Sequence, residues 1–427
     1  MLKKLTSKWI LYIPGYLGYF LLNSSMLTML IYRYDPATVN HENTRLIVPS
    51  ALVGAALLVS RIGGAVSQPI VGHMSDRLRS IWGRRRPFIG LSTLPLVVCF
   101  ILLFSPITSY TIFGNFIYLV AMLCLFYLAI ASYIVPYVAW LHDLAPTSQE
   151  RVNLSSLMGL FGLIGNGMGS IGAPWLTQEF GFQGMAITIG CISSLFLLMP
   201  LLIKEDYTPS CSSHSPLLSS WKLAWQNFSF RLYILGITLI WIAVSIMISC
   251  IPFLSVVLLE KSISFGAVVN GIVLVGSALG FNLVVYLTRP LGKRLVFQIS
   301  MILSGFGLLT VGILPEVVGT NLLPWLVLLF FISLGLASFF MLPNAMLPDL
   351  IIHGQNSKKS NEGEALYFGI RGFFIEMGIG LGSLLAGVML MLGKTQAQPL
   401  GVQLAFPLAG FFALASAFTF TFYPIKR

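Results

Sequence analysis

The chain's 427 residues are 56% hydrophobic and only 9% charged, where soluble domains carry about 25% charged residues. The apolar excess runs the whole length, which excludes a soluble enzyme or a soluble domain on one anchor and reads as a polytopic membrane protein. The net charge of +11 calls for no nucleic acid or other anionic partner, because Lys and Arg accumulate on the cytoplasmic side of such proteins.

Lys3, Lys4 and Lys8 precede an apolar run that begins at Trp9. The run is too long for a signal-peptide core and lacks a small-residue cleavage site, so it reads as the first membrane helix. Apolar segments of at least ~18 residues, divided by polar or Pro/Gly turns, then predict twelve spans. They are 9–32, 46–73, 88–107, 114–142, 151–174, 184–203, 231–258, 266–288, 295–314, 322–347, 364–391 and 402–423. The Ser-rich stretch 204–230 divides them, predicting an N-terminal six-helix bundle over 1–203, a cytoplasmic linker and a C-terminal bundle over 231–427. Cys99, Cys124, Cys191, Cys211 and Cys250 are scattered without Cys-x-x-Cys spacing. Neither a disulfide framework nor a metal site is expected.

Between the second and third spans, Arg77, Arg79, Arg84, Arg85 and Arg86 crowd into ten residues. Such a turn cannot lie in hydrocarbon. With the even-to-odd loops and both termini on the cytoplasmic side, nineteen of the twenty-five Lys and Arg fall there and four opposite, while Arg61 and Arg371 lie inside spans. That asymmetry sets the orientation.

The halves echo each other. Ala139-Trp-Leu-His-Asp143-Leu ends the fourth span and Ala345-Met-Leu-Pro-Asp349-Leu ends the tenth, 206 residues later. Gly83-Arg-Arg has a weaker counterpart in Gly292-Lys-Arg, 209 residues on. Two matches at nearly one offset argue for duplicated bundles, a transporter architecture.

Gly72-x-x-x-Asp76-Arg77, followed by Gly83-Arg84-Arg85-Arg86-Pro87-Phe88, resembles the signature between helices two and three of the major facilitator superfamily. The longer form is similar to that of the glycoside–pentoside–hexuronide cation symporters and the related sucrose-type carriers. Asp349, Glu362-Gly363 and Tyr367-Phe-Gly369 resemble the former's tenth-to-eleventh helix region, Asp143 with Glu150-Arg151 their loop four-to-five, and Gly165-Asn166 the sucrose-type carriers. The resemblance implies an all-α major facilitator fold of two pseudo-symmetric six-helix bundles, a central cavity and alternating access coupled to an ion. It also implies that Asp76, Arg77, Gly83, Arg84, Arg85, Asp143, Arg151 and Asp349 form a cytoplasmic gate of weak charge pairs.

Ionisable residues at mid-membrane are costly, and each is a candidate for function. Arg61 lies 15 and 12 residues from the two ends of the second span, roughly 22 and 18 Å. Gly64 and Gln68 share its face. In glycoside-type relatives the positions matching Gly64 and Gln68 are sodium-binding aspartates, so H⁺ is favoured here over Na⁺. Glu376, about 18 Å into the eleventh span, stands where relatives commonly place a lysine. The exchange of charges leads us to expect that Arg61 and Glu376 pair, or that Glu376 carries a proton. Arg371 is placed to touch substrate or to snorkel to the headgroups. Tyr19, Asn23, Tyr133, Tyr137, Asn166, Trp241 and Asn344 are candidates to line a cavity, although aromatic residues equally pack cores and belt interfaces. Ile134 and Val138 occupy positions that in galactoside carriers match an aspartate and a tryptophan for the sugar, which speaks against a melibiose-like substrate.

The functional expectation is a secondary active transporter of a small-molecule substrate, a sugar or glycoside by resemblance, coupled to H⁺ and using no cofactor. A monomer in a bacterial inner membrane, both termini cytoplasmic, is expected. An amphipathic or anionic substrate, lysolipid-like or a carboxylate, is the first alternative, since Arg61 could neutralise it. A non-transporting membrane sensor on a carrier scaffold is the second. No motif of an intramembrane enzyme is present.

Overall fold

A computed structural model describes residues 7–37, 46–78, 80, 82–107, 111–204, 225, 227–354 and 360–423. Most of the linker expected over 204–230 therefore lies outside the described residues. We number the long helices α1 (Pro14–Tyr34), α2 (Ser50–Arg77), α3 (Arg86–Leu103), α4 (Ile112–Leu144), α5 (148–180), α6 (182–198), α7 (Phe228–Phe253), α8 (Phe265–Leu291), α9 (Lys293–Val311), α10 (Leu322–Gly354), α11 (Ser360–Leu390) and α12 (Leu400–Thr419). Ten stretches are long and apolar enough to cross a membrane. One of these runs from Gln149 to Leu202, and Gly181 breaks it with φ 69° and ψ 178°, a conformation that costs glycine little. Pro14–Tyr34 falls outside the ten because Asn23, Ser24, Ser25 and Thr28 dilute its hydropathy, yet its 21 residues reach about 31 Å, the thickness of the hydrocarbon. Twelve helices of spanning length thus lie among the described residues.

Hydropathy locates the apolar middle of each helix and misses its polar ends. So α10 runs to Gly354 and α11 starts at Ser360, beyond the expected 347 and 364. The first span, expected as one run, is a short helix Ser7–Tyr12 followed by α1, with Pro14 at the start where a missing N–H is harmless. Pro252 and a π turn over Leu254–Leu258 close α7.

By Cα proximity the chain divides into two compact units, one built on α1–α6 and the other on α7–α12. In the first, α1 lies along α5, α2 along α4, and α3 against α4 and α6. Small residues permit the first of these approaches. A Cβ on Gly165 would fall on the carbonyl oxygen of Leu17, and one on Gly169 would meet Ser24 and Ser25. In the second unit α7 uses α11 the same way. A Cβ on Gly382 would meet the backbone of Ile242, and Ser245 donates to the Ile379 carbonyl at 2.8 Å.

Arginines close helix ends in both units. Arg86, at the start of α3, donates to the Leu201 carbonyl just past α6 at 2.5 Å. Arg294, at the start of α9, donates to the carbonyls of Thr421 and Tyr423 beyond α12, the latter at 2.8 Å. A cation there satisfies orphan carbonyls and opposes the helix dipole. The two arginines lie 208 residues apart, one position out of register with the echo of Gly83-Arg-Arg by Gly292-Lys-Arg, in which Arg294 matches Arg85.

The opposite end of α2 is held by an acid. Asp35, only 3% exposed, accepts the Ser50 N–H at 2.7 Å. This supplies the cap that Pro49 cannot. Asp35→Ala is expected to lower stability by about 1–2 kcal/mol, read as a lower unfolding midpoint in detergent.

Candidate functional site

In the first unit the site is a patch of α2 facing α4. Arg61 is 1% exposed, eleven residues from Ser50 and sixteen from Arg77, or about 16 Å and 24 Å along the helix. Its guanidinium carbon lies 4.8 Å from the ring centroid of Tyr127 on α4, a residue itself 4% exposed. Desolvated contacts of this kind are worth about 2 kcal/mol. Gly64, one turn after Arg61, is what lets the ring approach: a Cβ there would stand 2.9 Å from the Tyr127 Cβ. Tyr127 thus occupies the space that a side chain at position 64 would take, which gives Gly64 a packing role. Gln68 is half-buried on the same face. Beside them Ser60 donates to the Ala56 carbonyl at 2.6 Å, and the Cys124 thiol lies 3.6 Å from the Ser60 hydroxyl.

Tyr133 and Tyr137 are engaged within the first unit. Both are fully buried inside the first unit, and backbone carbonyls use their hydroxyls. Tyr133 donates to Leu197 at 3.1 Å. Tyr137 donates to the Tyr12 carbonyl, and Tyr12 returns the bond to the Tyr137 carbonyl, both at 2.6 Å. The two rings stack at 4.3 Å, Trp140 packs edge-on to Tyr12, and Trp9 donates to the Leu144 carbonyl. These aromatic residues fasten the Ser7–Tyr12 helix to the end of α4. Buried hydroxyls need partners, and here the partners are 64 and 125 residues away. Tyr19, Asn23 and Asn166 remain half-buried on α1 and α5, with Tyr19 in an aromatic group with Tyr16 and Phe20.

At the basic turn, Gly83 takes φ 98° and Arg84 reaches Asp143 at 3.4 Å, the side chains 15% and 32% exposed. A pair this wet is worth about 0–1 kcal/mol. Arg85, 6% exposed, donates to the Ser75 hydroxyl at 2.8 Å. Arg151 donates to the Pro146 carbonyl at 3.0 Å, bonding within its own turn. Arg77 is exposed. The side chains of Asp76 and Asp349 lie outside the described residues.

In the second unit Glu376 sits at the middle of α11, sixteen residues after Ser360 and fourteen before Leu390, and is half-buried. Arg371 is half-buried and Asn344 exposed. Trp241 of α7 packs edge-on to Phe339 of α10 at 4.8 Å, with its Cβ over Gly378 of α11. Tyr127, Tyr12 and Asp35 are the residues the sequence did not single out. Their partners lie on other helices, and no spacing along the chain announces them.

The family model described as MFS/sugar transport protein matches residues 11–427. An uncharacterized symporter of Synechocystis sp. is 24% identical over 490 aligned positions, which cover 89% of this chain and 88% of its own. The crystal structure of nucleoside transporter NupG superposes with a TM-score of 0.69 at 15% identity over 97% of this chain and 98% of that one. A D-xylose-proton symporter does so with a TM-score of 0.69 at 13% identity over 98% of each. Likeness at such identities is likeness of fold.

Proposed function

Because the chain belongs to the MFS/sugar transport protein family, we propose that it is a proton-coupled symporter of a sugar, glycoside or similar small organic solute. The observation that carries the coupling is the patch on α2. Of the two positions that hold sodium-binding aspartates in the glycoside symporters it resembles, one is Gly64, filled by Tyr127, and the other is the neutral Gln68. Glu376, on the apolar stretch Gly369–Leu390 of α11, is then the proton carrier, and Arg61 the buried cation of the first unit that takes part in coupling.

In this reading the protein is a monomer in a bacterial inner membrane with both termini in the cytoplasm, an orientation that the Lys and Arg asymmetry supports. Carrier cycling opens and closes the Arg84–Asp143 contact, whose weakness suits repeated breaking.

The test is uptake into proteoliposomes of D-xylose, uridine and methyl β-D-glucoside under imposed gradients. An inward H⁺ gradient is expected to drive accumulation of at least one, and a Na⁺ gradient at equal pH none. Accumulation driven by Na⁺ alone would overturn the coupling ion. Binding of a carboxylate solute that depends on Arg61 would favour the anionic-substrate alternative.

A further inference from the structure

We propose that Tyr127 is a positioning residue for Arg61: its ring is the platform that fixes the guanidinium at mid-span, and Gly64 is the notch that admits the ring. This rests on the coupling role proposed above for Arg61. Three observations on the α2–α4 face carry it. The guanidinium carbon is 4.8 Å from the ring centroid, inside the ~6 Å over which a ring's quadrupole attracts a cation. Arg61 and Tyr127 are 1% and 4% exposed, so bulk water competes little for the charge. Gly64 presents a bare Cα where a Cβ would stand 2.9 Å from the Tyr127 Cβ. That atom is fixed to the backbone and cannot swing aside as a side-chain tip could.

A long arginine side chain is free to sample many rotamers, and holding one of them costs entropy. A ring placed against it supplies the restraint over a broad area without adding a second charge. The planar, delocalised guanidinium suits this contact better than an ammonium does, so lysine at 61 is not an equivalent. The arrangement also explains why position 64 lacks a side chain. An aspartate there would collide with the Tyr127 Cβ as well as change the charge.

The test begins with NMR on protein carrying ¹⁵N-arginine in lipid nanodiscs. The Arg61 Nε–H resonance, identified by its disappearance in Arg61→Lys, is expected upfield through the Tyr127 ring current. It should stay there in Tyr127→Phe, lose the shift in Tyr127→Leu, and move in Gly64→Ala. An unshifted wild-type resonance, or one unchanged in Tyr127→Leu and Gly64→Ala, overturns the proposal whatever the substrate is. For any solute of the panel that is taken up, Tyr127→Leu should lower the maximal rate on the order of 10-fold or more and displace its pH profile. Tyr127→Phe should keep both. Loss of transport in Arg61→Gln, with a wild-type rate and pH profile in Tyr127→Leu, would sink the positioning role and leave the coupling role standing. Wild-type transport in Arg61→Gln, with the ring-current signature intact, would sink the coupling role and leave the contact standing.

Discussion

Glu376→Gln is expected to abolish proton-driven accumulation while solute exchange between equal pools continues. Gln keeps the shape of the side chain and removes the titrating group. Counterflow needs no net proton movement and should survive; uphill uptake should not. Its placement gives the prediction its force, because Glu376 lies on the apolar stretch Gly369–Leu390 of α11, where an ionisable side chain is costly and a candidate for function. Arg61 is buried more deeply than the half-buried Glu376, at 1% exposure. Uptake driven by a pH jump and counterflow between equal pools, measured on the same Glu376→Gln vesicles, separate the two activities. Unaltered accumulation and pH dependence in Glu376→Gln would end the proton-carrier reading.

The second large effect concerns the seam between α1 and α5. Gly165→Val is expected to prevent recovery of monodisperse protein, while Gly159→Val on the same helix is tolerated. A Cβ at 165 lands on the Leu17 carbonyl oxygen, whereas one at 159 has nothing within 4 Å. Backbone cannot rotate out of the way, so the helices must separate along their shared length. Overpacking a fitted site typically costs about 1–3 kcal/mol and occasionally more, and here the helices lose their mutual contacts as well. Gly382→Val should act likewise on α7 and α11, with Gly372, also without a neighbour within 4 Å, as its control. Size-exclusion profiles and thermal unfolding of the four variants decide it.

The twelve spans and the motif around Gly72, Asp76 and Gly83 could be read from the chain alone. The reason is the bilayer: its core demands about 20 apolar residues per crossing with every backbone group bonded internally. That demand is local and one-dimensional, so composition records it. Arg61 and Glu376 were legible for the same reason, as charges where hydropathy says none should be.

What lies between helices was not legible. Gly64 read as an empty ion ligand until Tyr127, 63 residues further on, filled its space. Tyr133 and Tyr137 read equally as cavity candidates and as core packing, and only the structure shows which backbone carbonyls accept from their hydroxyls. Asp35 gave no sign that it caps α2 through Ser50. Each role depends on which helix stands opposite. Helix pairing in hydrocarbon is decided by close approach and by satisfying polar groups, not by apolar periodicity, since every face here is apolar enough. The chain by itself thus determined how many times it crosses the membrane and which charges it buries there, and only the tertiary packing decided which neighbours those charges and tyrosines serve.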